Sequence, residues 1–191
     1  IKYNKNSYLI QLSTDQVYDG KGLKKEDEIT IKNYYSFSKL AGDIVATSVN
    51  SVVIRTNFFG KSYKYNRDSF SDWILTSLKN GQSIKAFNDI YFSPLSMETL
   101  SGLILCVLKN PIFGIFNVGS KNGFSKADFI CKVAQTFNFS NDLIKYVSIK
   151  NIRLDASRPT DMRMDNSFFE NTYKIELPTL ENEIIKLKGD Y

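Results

Sequence analysis

Two tyrosines in this sequence stand four residues ahead of a lysine: Tyr35 before Lys39, and Tyr146 before Lys150. A phenol beside an ammonium is a proton donor next to the cation that tunes it, because the positive charge favours the phenolate. With 11 Tyr in 191 residues, and 25 Lys and Arg of which only five are Arg, about one such spacing arises by chance. Context has to separate the two. "STDQVYDG" (13–20) adds the Thr14 hydroxyl and the Asp15 carboxyl as further candidates. The chain has no His, which removes Ser-His-Asp and Cys-His nucleophile systems and the usual zinc sites, so no metal site is expected. Any acid or base must be Asp, Glu, Tyr, Lys or Cys.

The elements that would position these groups follow from apolar spacing. "SYLIQLS" (7–13) reads as a strand buried on both sides, and "SVVIRT" (51–56) as a second. Between them, 34–48 reads as a helix with Asn33 as its N-cap and Leu40, Ile44 and Val45 on its apolar side. On that helix Tyr35 and Lys39 share a face with Cβ atoms ~6 Å apart. Tyr146 and Lys150 lie in "IKYVSIKNI", whose alternation reads as a strand that would hold them ~13 Å apart. The first pair is therefore the candidate and the second a decoy. Thr14 and Asp15 fall at the carboxyl end of the first strand, where open α/β sheets bind ligands. A helix packed beside that strand can bring the Tyr35 phenol near the Thr14 hydroxyl.

Further helices are expected at 68–81, 96–111 and 125–137, the last opened by Ser125 and Asp128, with a strand at 114–120. Beyond residue 140 the pattern weakens into short pieces. Alternating strands and helices place the chain in the α/β class. Its 42% hydrophobic and 24% charged content is that of a globular protein, and polar residues interrupt every apolar run short of the ~20 a membrane span needs. Cys106 and Cys131 sit in apolar helical patterns and read as buried thiols, consistent with a reducing cytoplasm. The net charge of +5 is spread over scattered lysines, which suits an anionic small ligand better than nucleic acid. Trp73 and the phenylalanines read as core, and Arg55 as a group satisfying backbone carbonyls. Arg158 reads as half of a surface ion pair, with a bidentate grip on a diphosphate as the alternative.

Taken together, "STDQVYDG", "YSFSKLAGD", "VIRTNFFG", "GIFNVGS" and "RPTDMRMDNSFF" resemble, in order, the extended short-chain dehydrogenase/reductases, and among them the dTDP-4-dehydrorhamnose reductase group. The resemblance implies NADPH- or NADH-dependent reduction of a 4-keto-6-deoxy sugar carried on a nucleotide, for polysaccharide biosynthesis. It makes Tyr35 the proton donor, Lys39 its tuner and a cofactor-ribose contact, and Thr14 and Asp15 contacts to the substrate sugar. Gln16 stands where the related 4,6-dehydratases carry an ionisable Glu, which ranks reductase above epimerase and dehydratase low. A non-catalytic regulatory subunit of the same fold is the reading from another class. Phe58 stands where the reductases often have a substrate-contacting Trp.

No G-x-x-G-x-x-G turn is present, and Ile1 in place of Met suggests a piece of a longer protein or a processed one. The fold expected is the C-terminal part of a Rossmann-like, doubly wound parallel sheet plus a small α+β substrate-binding region. Residues 1–60 would belong to the dinucleotide-binding domain, 61–95 to a substrate-region insertion, 96–120 to a return to the first domain, and 121–191 to the substrate-binding region. A soluble protein that can pair as a homodimer is expected, inactive without the missing phosphate loop.

Overall fold

A computed structural model describes residues 7–153 and 155–191. The first six residues, and with them the reading made from Ile1, lie outside the described residues. In chain order the elements are β1 (Leu9–Thr14), α1 (Tyr34–Ala46), β2 (Ser51–Thr56), β3 (Phe58–Phe59), α2 (Phe70–Lys79), β4 (Ile84–Phe87), β5 (Tyr91–Phe92) and β6 (Leu95–Ser96). There follow α3 (Met97–Lys109), β7 (Gly114–Val118), β8 (Phe124–Ser125), α4 (Lys126–Thr136), β9 (Ile144–Val147), α5 (Ser167–Tyr173) and α6 (Leu180–Lys186).

The organising sheet is parallel, in the order β1-β2-β7, with Thr14 opposite Thr56 and Thr56 opposite Val118. Its three carboxyl ends therefore lie level. All six residues of β2 are buried, and Val52 and Ile54 pack with Phe116, Val118, Leu100, Leu103, Phe169 and Leu177 in one core cluster. Each such aliphatic side chain contributes on the order of 1.5–3 kcal/mol. A second cluster joins Ile74, Leu78 and Phe129 with Ile84, Ile90, Phe92 and Ile184, around the two-stranded pairs β4-β9 and β5-β8. Among the described residues β1 pairs only with β2, and it is less buried than its sequence suggests: Leu12 is 42% exposed.

Helix α1 shows how pattern and packing part company. Its start is as expected: Asn33 accepts from the Ser36 amide, and the Ser36 hydroxyl accepts from the Asn33 amide in return. Its buried face is not. Ser36, Asp43 and Ala46 face inward with Leu40 half-buried beside them, whereas Ile44 and Val45 are exposed. Small residues let the helix approach the sheet closely, and Asp43 is drawn in because Arg55 of β2 waits there. Arg55 Nε donates to Asp43 Oδ2 at 2.9 Å, with both side chains fully buried. The Arg55 Nη1 donates to the Tyr18 hydroxyl at 2.7 Å and to the Glu26 carbonyl, and Tyr18 donates to Asn117 Oδ1 at 2.7 Å. Arg55 thus answers a carboxylate as well as the expected carbonyl, and ties α1 to β2, β7 and the loop after β1.

Other departures are smaller. Cys131 is buried, but Cys106 is exposed on α3. Trp73 is 42% exposed and stacks on Phe70 at 5.9 Å instead of entering the core. Tyr146 lies in β9 and Lys150 in a following 3₁₀ turn, so the decoy pair shares no helix. The "NVGS" run takes its glycine from crowding: a Cβ on Gly119 would sit 2.6 Å from the Ser93 carbonyl oxygen. No helix among the described residues is long and apolar enough to cross a membrane.

Candidate functional site

The level carboxyl ends of β1 and β2 form the floor of the site. Thr14 caps the short turn that follows β1, accepting from the Gln16 amide at 3.2 Å and donating to Asp15 Oδ1 at 3.3 Å. Asp15 is fully buried, and Asn57, the first residue after β2, donates its Nδ2 to Asp15 Oδ2 at 2.8 Å. Burial pushes the Asp15 carboxyl up to about 6, opposed by Asn57, Lys126 and Thr14.

Tyr35 and Lys39 come from the first turns of α1. The Lys39 ammonium donates to the Leu12 carbonyl at 2.8 Å, pinning the helix to β1, and the Tyr35 side chain is half exposed. No hydrogen bond joins Tyr35 to Thr14; the Thr14 hydroxyl is engaged with its own neighbours.

Two cavities open on this floor. One, of about 360 Å³, is lined by Gln16, Asn33, Tyr34, Tyr35, Ala156 and Arg158. The other, of about 270 Å³, has an aromatic and aliphatic wall that includes Phe70, Trp73, Phe87 and Met162, and three cations, Lys85, Lys126 and Arg158. No carboxylate lines it. Gln16 and Arg158 belong to both cavities, so the two meet there. Phe58, half exposed on β3, lines neither; its neighbour Asn57 lines the second.

The loop after β1, the segment leading into α1 and the loop that carries Arg158 are held together by Asp19. Its Oδ1 accepts from the Thr160 amide at 2.7 Å and the Thr160 hydroxyl at 3.1 Å, and Lys32 pairs with its other oxygen at 3.0 Å. Burial works against this carboxylate, yet the Thr160 amide and Lys32 hold it down to about 2. Arg158, two residues before Thr160, has no ion-pair partner among the described residues, and the expected surface pair is not formed.

Sequence reasoning missed Asn57 and Lys126. Asn57 could have been found by applying to β2 the strand-end rule that singled out Thr14 and Asp15. Lys126 carries no local signal; it follows an N-cap serine and reaches the site only through the placement of α4.

The profile of the RmlD substrate binding domain family matches residues 3–189. The chain belongs to that family. Solved structures bear out the Rossmann-like α/β fold of this RmlD family member. A dTDP-4-dehydrorhamnose reductase from Bacillus anthracis, in complex with NADP, matches with a TM-score of 0.87 at 20% identity, over 97% of this chain and 66% of that one. The reductase from Yersinia enterocolitica matches at 0.84 and 26% identity, over 96% and 67%. A hypothetical dTDP-4-dehydrorhamnose reductase from Sulfolobus tokodaii matches at 0.78 and 31% identity, over 91% and 61%. The chain thus spans about two thirds of the length of these relatives. No curated protein sequence matches it.

Proposed function

We propose that the intact protein reduces the 4-keto group of a nucleotide-linked 4-keto-6-deoxy sugar with NADPH or NADH, in the cytoplasm. The observation that carries this reading is the meeting of the two cavities at Gln16 and Arg158, with Tyr35 in one and three cations against an aromatic wall in the other. A sugar on a nucleoside diphosphate is a long anion with its reactive carbon at one end and a planar base at the other. Two joined cavities, one with a proton donor and the other with cations beside aromatic rings, offer a partner to each part of it.

In this reading the Tyr35 hydroxyl gives its proton to the carbonyl oxygen as negative charge develops there. Thr14 turns its hydroxyl from Asp15 to the same oxygen, which frees Asp15 Oδ1 for the sugar, while Phe58, outside both cavities, is given no contact. Lys39 spends one N–H on the Leu12 carbonyl and keeps two, enough to orient the phenol and hold ribose hydroxyls. A reduced nicotinamide would supply the hydride to carbon. The residues present fit one end of such a cofactor: the phenol and ammonium are the donors its nicotinamide ribose needs. They do not supply the other end, because the G-x-x-G-x-x-G turn that cradles a pyrophosphate is absent from the sequence.

Replacing Tyr35 by Phe in the intact protein is expected to lower kcat by roughly 10²–10⁴ while leaving KM within a few-fold, measured by NADPH oxidation with the keto sugar nucleotide. Wild-type turnover in the variant would sink the proton-donor assignment. Nucleotide binding with no turnover in the wild type would favour the non-catalytic subunit.

A further inference from the structure

The second cavity holds a cation that forms no ion pair among the described residues. Lys126 is the first residue of α4, and its Nζ lies 4.5 Å from the centre of the Phe92 ring and 4.7 Å from that of Phe70. Among the described residues it makes no ion pair, unlike Lys121 with Glu170 and Glu176 or Lys132 with Glu181. Two aromatic faces hold an ammonium in place but leave its N–H groups without strong acceptors. The carboxyl that acts on it, Asp15, is engaged with Asn57 and Thr14. Burial pushes the Lys126 ammonium down, and Arg158 adds to this while Asp15 opposes it. A second and a third cation, Arg158 and Lys85, line the same walls.

We infer that Lys126 is the counter-ion of the diphosphate in the substrate's nucleoside diphosphate half, with Arg158 closing on the same group from the exposed side. This rests on the proposed function and adds to it the residue that fixes where the chain of the ligand turns from sugar to base. Three features support it together. The cavity is lined by cations without carboxylates, so a dianion is favoured and a neutral or cationic ligand is not. Trp73, part-exposed where it stacks on Phe70 in the same cavity, offers a planar surface for a base. Arg158 belongs to both cavities, so a phosphate held between it and Lys126 leaves the sugar on the Tyr35 side. Lysine suits the inner position because it gives a point charge that needs no fixed fork, while arginine at the mouth can bind two oxygens at once.

The test is calorimetric titration of the intact protein with thymidine diphosphate, uridine diphosphate and thymidine. Binding of the diphosphates is expected to weaken roughly 10- to 100-fold in Lys126→Met, while thymidine binding is unchanged. Lys126→Arg should restore most of the loss, and Arg158→Gln should cost less than Lys126→Met. Raising salt should weaken the wild type more than Lys126→Met. Equal thermal melts for wild type and variants exclude a folding defect. Wild-type diphosphate affinity in Lys126→Met, or an equal loss for thymidine, overturns the inference. The outcome is separable from that of the reduction reading: a turnover-competent protein indifferent to Lys126→Met sinks only this inference, and a protein that binds diphosphates through Lys126 without turnover sinks only that one.

Discussion

Asp15 decides how the site responds to pH. Its folded-state pKa of about 6 lies above the ordinary 3.8, because burial outweighs Asn57, Lys126 and Thr14. Below pH ~4 the carboxyl is protonated in both folded and unfolded chains and shifts nothing. Between pH ~4 and ~6 the unfolded chain loses its proton first, so stability falls as pH rises, by a total on the order of 3 kcal/mol, and is flat above. Asp15→Asn is expected to abolish this slope and raise stability near pH 7 by up to the same amount, as measured by urea unfolding across the window. Parallel pH dependences in the two proteins would mean that Asp15 is not desolvated. Thr14 and Asp15 stood out because a strand end is a local feature, whereas Lys126 depends on where a helix about 110 residues further on comes to rest.

Helix α1 carries the proposed proton donor, and the buried Asp43–Arg55 pair sets its distance from the sheet. Removing one partner of a buried ion pair leaves an uncompensated charge and typically costs about 3–5 kcal/mol. Asp43→Ala is therefore expected to lose that much in chemical denaturation, with Asp43→Asn milder because an amide oxygen still accepts from Arg55 Nε. A loss under 1 kcal/mol in Asp43→Ala would show that α1 is held mainly by Lys39 on the Leu12 carbonyl and by packing (roughly the value of an exposed pair). The existence of this helix and its N-cap at Asn33 were legible, since both follow from local residue types. Its inward face was not. Hydrophobic spacing put Ile44 and Val45 inside, but the partner of Asp43 lies on another strand, and no periodicity within the helix announces it.

For the whole molecule, the two ends of the proposed reaction are unequally provided for. The 191-residue chain by itself is expected to show no NADPH turnover and no measurable dinucleotide binding, because no glycine-rich turn ahead of a helix N-terminus is available to hold the pyrophosphate. Oxidation of NADPH by this chain with a keto sugar nucleotide would overturn that expectation. The outward edge of β1, with Leu12 part-exposed, is an aggregation liability that light scattering of the same sample would register. The sequence alone determined the strand end at Thr14 and the helix with Tyr35 and Lys39, which rest on residues within a turn or a strand of one another, and the α/β class and family resemblance, which rest on the order of such local patterns along the chain. Only the tertiary structure decided that Gln16 and Arg158 bridge two cavities, that Asn57 holds Asp15, and that Lys126 stands among aromatic rings with no ion pair among the described residues. Asp15 and Asn57 are 42 positions apart and Gln16 and Arg158 are 142, and they meet where parallel strands end level and the helices that follow converge over them.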